Sequence, residues 1–176
     1  MSGRVIAQDS SRHPVRVRKF DWRIDREVVL GFQYEIYESN FAGCVVDDGF
    51  LYDYSIALRD AARNPNENVL VLEQGDRVVG FLWLSLMSTL VDDCVGYIKN
   101  IYVAPELRGL GCGRYLLDVA DEWFLSNGAT KSTLDATADN ERAVGLYLDF
   151  GYEIVRYRME KRYRTPHDGH THAEPR

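Results

Sequence analysis

Val103-Ala104-Pro105-Glu106-Leu107-Arg108-Gly109-Leu110-Gly111-Cys112-Gly113-Arg114 joins two runs of different period. Before it, residues 97–103 are rich in β-branched and aromatic side chains and read as a strand. After it, Leu116, Leu117, Ala120, Trp123 and Phe124 recur at helical spacing, so residues 112–126 read as a helix that Asn127-Gly128 closes. Gly109, Gly111 and Gly113 let the connecting backbone turn tightly with no Cβ in the way. Its N–H groups can then converge at a helix start, where backbone donors lack partners and the dipole is positive, an arrangement suited to a phosphate or pyrophosphate. Two familiar phosphate fingerprints are excluded. Arg114 stands where Gly-x-Gly-x-x-Gly needs its third glycine, and no Gly-Lys-Ser/Thr follows. By itself the loop admits both an anion site and an ordinary tight turn.

Working outward, residues 69–73 and 78–84 are apolar β-rich runs around Gln74-Gly75-Asp76-Arg77, a hairpin pattern. Residues 15–20 read as an edge strand. Val28, Val29, Phe32, Ile36 and Tyr37 place a helix over 25–38, and Phe50, Leu51, Tyr54 and Leu58 a second over 49–63, ended by Asn64-Pro65-Asn66. Downstream, 132–137 is a short strand, 140–150 a helix capped by Asn140 and stopped at Gly151, and 152–163 a last long strand. The order β-α-α-β-β-β-α-β-α-β predicts an α/β (α+β) mixed sheet, antiparallel first, with one β-α-β crossover.

Composition bounds the function. The 176 residues, 45% of them hydrophobic, fit one domain over 14–164 between polar, flexible tails at 1–13 and 165–176. His167, His170 and His172 in the second tail lack a fixed fourth ligand, so no metal site is expected. No apolar run approaches a membrane span, and the start, Met1-Ser2-Gly3-Arg4, carries no signal-peptide stretch. Cys44, Cys94 and Cys112 are odd in number and scattered, which fits a reducing cytoplasm. A net charge of −6 argues against a nucleic-acid partner and suits either plain solubility or a cationic substrate. Glu35, Glu38, Asp47, Asp48 and Asp53 make the region of 25–60 acidic, which predicts a carboxylate-lined mouth or merely solvated helix faces.

A second motif lies at Asn140-Glu141-Arg142-Ala143-Val144-Gly145-Leu146-Tyr147-Leu148-Asp149-Phe150-Gly151-Tyr152. This segment and Arg108-x-x-Gly111-x-Gly113 after a Tyr-Val-x-Pro strand end together resemble the paired motifs of the GNAT acetyltransferase superfamily, over about residues 15–163. In its second half the chain is most similar to ribosomal-protein and other protein N-terminal acetyltransferases. The resemblance implies a sheet of six to seven strands flanked by about four helices, splayed to form a slot for acetyl-CoA. It implies acetyl transfer to a primary amine by direct attack in a ternary complex, with no metal. The acceptor is a protein N-terminus, a lysine or a small amine.

The resemblance also assigns residues. Arg108, Gly109, Leu110, Gly111, Cys112, Gly113 and Arg114 surround the pyrophosphate, while Ile101, Tyr102 and Val103 run along the pantetheine arm. Asn140 contacts the arm, caps its helix, or does both. Tyr147 becomes the general acid: a phenol with pKa near ~10 can protonate a departing thiolate, although a core aromatic fits the same spacing. Asp135, where the similar enzymes carry a Glu, becomes the general base or a residue that orients a neighbour. A non-catalytic acyl-CoA-binding regulatory module on the same fold is the competing reading. Such enzymes usually end in two strands and only 152–163 is available here, so a six-stranded monomer or a homodimer is expected.

Overall fold

The computed structural model describes residues 14–41 and 44–161. Among these, five strands form one sheet in sequential order: β1 (Val15–Lys19), β2 (Glu67–Gln74), β3 (Arg77–Met87), β4 (Val95–Val103) and β5 (Lys131–Leu134). β1 to β4 pair antiparallel, and β5 joins β4 in parallel. Helices α1 (Trp22–Asn40) and α2 (Asp48–Ala61) follow β1, α3 (Cys112–Ser126) makes the crossover from β4 to β5, and α4 (Glu141–Phe150) follows β5. No helix among the described residues is long and apolar enough to cross a membrane.

β3 is the centre of the sheet, and Val79–Ser85 are all buried because helices cover both faces. Phe81 and Trp83 point to the side of α1 and α2, where Phe32 lies 6.2 Å from Phe81 and Tyr54 5.7 Å from Trp83. Leu82, Leu84 and Leu86 alternate to the other side, the face of Gly96, which meets Phe124 of α3. A Cβ on Gly96 would stand 2.5 Å from that ring, so the helix packs this closely only against a glycine. Gly96→Ala is therefore expected to cost about 1–3 kcal/mol through overpacking and to lower Tm by several degrees in a calorimetric scan.

The helix starts follow local chemistry. Asp21 accepts from the N–H of Arg23 at 2.8 Å, Asp47 from Phe50 at 2.8 Å and Asn140 from Ala143 at 3.2 Å. The Asp21 cap starts α1 three residues before the expected 25, and α1 runs on to Asn40. β5 stops at Leu134 rather than 137.

The last strand and the count of six to seven strands are corrected. Gly151 ends α4 with φ 107°, and Tyr152 turns back against Tyr147 and Phe150 with its hydroxyl 2.9 Å from Ser132 Oγ. Residues 153–161 then run exposed without joining the sheet. Their alternating pattern is that of a strand, but a strand needs a partner edge, and β5 presents only four residues. The two tails, with their histidines, and residues 162–164 lie outside the described residues.

Candidate functional site

β4 and β5 stay paired only from Val95↔Lys131 to Ile98↔Leu134. Beyond Ile98 they part, and a cavity of about 680 Å³ opens between the end of β4, the start of α3, residues 135–137 and α4. The Ala104 N–H donates to Val79 O at 2.8 Å on the β3 side. Strand alternation therefore turns the backbone of Ile101 and Val103 toward the cavity.

The glycine loop forms one wall. Gly109 and Gly111 hold φ values of 80° and 82°, the left-handed region where a side chain is strained. Gly111 is the N-cap of α3 and offers no capping side chain, unlike Asp21, Asp47 and Asn140. The N–H groups of the first α3 turn thus face the cavity end uncapped. Gly113 permits the meeting of α3 and α4, since a Cβ there would lie 2.8 Å from Leu146 Cδ2. Gly109, Gly111, Gly113, Arg108 and Arg114 all line the cavity. Leu110 is exposed instead, and Cys112 is buried in the core with burial pushing its thiol up, so either reaches the cavity by backbone only.

Arg108 is held on two sides. Its Nε donates to Val103 O at 2.8 Å, and its Nη2 donates to Glu35 Oε1 at 2.5 Å. The Tyr102 hydroxyl donates to Glu35 Oε2 at 2.6 Å, and the guanidinium lies 5.5 Å from the Tyr102 ring centroid. Burial works to raise the Glu35 carboxyl, but these hydrogen bonds and the Arg108 charge outweigh it and hold it below the usual glutamate range. The Tyr102 phenol is pushed up, first by burial and then by Glu35. This arrangement ties α1 to β4 and the loop. The acidic mouth expected from 25–60 does not form around the cavity: Glu35 alone of the five lines it, and Asp47 is used as a helix cap.

Tyr147 on α4 lines the cavity, and burial, with a smaller effect of Tyr152, pushes its phenol up to about 12. Its ring stands edge-on to Tyr152 at 6.0 Å, while its hydroxyl bonds to no other side chain or backbone group among the described residues. Asn140 caps α4 and donates to Asn40 Oδ1 at 3.3 Å, and Thr137 Oγ1 reaches Asn40 O at 3.3 Å, which fastens the end of α1 to the start of α4. Asp135 lies one residue past the last β4–β5 pair and is 63% exposed. It accepts from Tyr97 Oη at 3.1 Å and faces Arg158 Nη2 at 3.6 Å.

The cavity thus brings together Ile101, Tyr102, Val103, Asp135, Asn140 and Tyr147 with the loop. It also contains residues to which the sequence reading gave no role, chiefly Arg142, Tyr37 and Asn40. Arg142 Nη2 approaches to 3.4 Å of where a Gly109 Cβ would sit. The signal was available: Arg142 is four residues before Leu146 and shares its helix face, which Leu146 turns toward Gly113. Lys99, Arg108, Arg114 and Arg142 give the lining four cationic side chains, so one end suits an anion.

Residues 31–152 match the model of the acetyltransferase (GNAT) family. The chain is 30% identical over 122 residues to a putative [ribosomal protein bS18]-alanine N-acetyltransferase of Bacillus subtilis, covering 68% of this chain and 72% of that one. It is 36% identical over 80 residues to the uncharacterized N-acetyltransferase YobR of the same organism, 46% of this chain but only 31% of that protein's length. The fold is similar, with a TM-score of 0.70 and 16% identity over 84% of this chain and 96% of the other, to a crystal structure described as a "predicted acetyltransferase with acetyl-CoA" from Clostridium acetobutylicum.

Proposed function

We propose, from the premise that this chain belongs to the acetyltransferase (GNAT) family, that it transfers the acetyl group of acetyl-CoA to a primary amine. The observation that carries this reading is the meeting of three features in one cavity. These are the bare glycine cap of α3, the unpaired end of β4 and the buried phenol of Tyr147. The resemblance to a bS18-alanine N-acetyltransferase supports an α-amine as acceptor, and the domain over 14–164 is the unit proposed to act.

In this reading acetyl-CoA supplies an activated thioester. The uncapped N–H groups of α3 bind its pyrophosphate, and Arg142 and Arg114 add positive charge. Arg108 is occupied by Glu35 and the Val103 carbonyl, so its part is to fix the loop on α1. The backbone of Ile101 and Val103 extends the sheet along the pantetheine arm. Asp135 takes a proton from the incoming amine, and Tyr147 gives one to the departing thiolate, so the charge balances across the transfer.

The test is thiol release from acetyl-CoA against a panel of peptide N-termini, lysine peptides, polyamines and aminosugars. Amine-dependent release is expected. Binding of acetyl-CoA with no release for any amine favours a non-catalytic module, and absence of binding overturns the reading. For the base, Asp135→Asn keeps the size and loses the basicity. It should lower kcat near neutral pH by ~10²–10⁴-fold and regain activity as pH rises and free amine accumulates. An unaltered pH–rate profile places the base elsewhere.

A further inference from the structure

The chain segment after α4 has no use in the proposed chemistry, yet it is the most apolar exposed stretch of the described residues. Val155 is 77%, Tyr157 85% and Met159 92% exposed, and Ile154 beside them 59%. Large apolar side chains grouped in this way mark an interaction surface. The segment is anchored rather than loose at its start, through Tyr152 on Ser132, and Arg158 touches Asp135 farther along. It therefore runs along the outer side of β5, whose edge has no strand partner.

Its sequence is self-complementary. In strand geometry Glu153, Val155, Tyr157, Met159 and Lys161 share one face. Laid antiparallel on a second copy about Tyr157, that face sets Glu153 opposite Lys161, Val155 opposite Met159, and Tyr157 opposite itself. Opposite charges and apolar groups then pair across the strands, twice each by symmetry. The other face sets Ile154 opposite Glu160 and Arg156 opposite Arg158, where Asp135 offsets the Arg158 charge.

We propose that residues 153–161 form an antiparallel strand pair with the same residues of a second copy across a two-fold axis at Tyr157. This segment also carries Arg158 to Asp135 at the cavity, so the pairing orders one wall of the slot. A two-stranded ribbon is marginal alone. Here each strand is fixed at its start to its own subunit and covers the open β5 edge, which spares part of the ordering cost.

The experiment is sedimentation of the full chain over a micromolar concentration series, with no acetyl-CoA present, so its result is independent of the proposed activity. A dimer of twice 20.2 kDa is expected. Glu153→Lys and Lys161→Glu each place like charges opposite one another and should weaken the dimer about tenfold. The double exchange restores opposite charges in this register and should return most of the affinity. Tyr157→Cys brings two Cα atoms to ~4.5–5.5 Å, within disulfide reach, and should give an oxidised covalent dimer that wild type and Arg156→Cys do not. A monomer throughout overturns the proposal. A dimer indifferent to both charge changes and to the position of the cysteine overturns the register and the segment together.

Discussion

Tyr147→Phe should lower kcat by ~10²–10⁴-fold while leaving acetyl-CoA affinity and Tm nearly unchanged. The ring fills its place against Tyr152 in either variant, and the hydroxyl bonds to no described protein group, so its removal deletes a proton donor and little packing. The raised phenol gives the pH dependence. Burial holds the titration at about 12, so the donor form is present throughout the neutral range and is lost only as pH rises toward that value. Any alkaline fall in wild-type kcat below that region therefore comes from another group and should persist in Tyr147→Phe. Pre-steady-state thiol release separates chemistry from product release. Near-full kcat in the variant with chemistry rate-limiting removes Tyr147 from the acid role.

Gly111→Glu should weaken acetyl-CoA binding by ~10²-fold or more, read by calorimetry. Two effects add. The residue holds φ 82°, which costs a side chain roughly 1–2 kcal/mol, and a carboxylate enters the place meant for a pyrophosphate. Losing even two charge-assisted hydrogen bonds of ~1.5–3 kcal/mol each accounts for the expected size. No atom lies within 4 Å of a Gly111 Cβ, so the variant does not clash and the domain should stay folded. Gly111→Ala is the control: it keeps the strain without the charge, and should show only the smaller loss. Equal losses in both variants would assign the effect to backbone strain, and unchanged affinity in Gly111→Glu would move the anion site away from the loop.

Both predictions rest on residues legible in the chain. The α3 helix runs over Cys112–Ser126, the span its apolar spacing predicts, because a one-sided apolar pattern with a Gly start and an Asn-Gly end leaves few choices. The hairpin of β2 and β3 was equally legible from its alternating runs and the Gly75 turn at φ 61°. Strand ends were less so. β5 was expected to reach 137 and stops at Leu134, since strand length is set by where β4 stops pairing, not by local composition.

The sequence by itself determined the order of elements, the glycine loop at a helix start and the tyrosine one helix away. Each is local: a period, a cap or a φ that only glycine adopts without strain. The tertiary structure decided the rest. It set Glu35 on Arg108 across 73 residues, which turns an expected acceptor carboxylate into a brace of the loop. It brought Arg142 over Gly109, and it left 153–161 without a strand partner, so that the expected sixth strand is absent from the sheet. These outcomes depend on which charge meets which across the fold and on how many hydrogen-bonding residues an edge presents, and no local pattern encodes either.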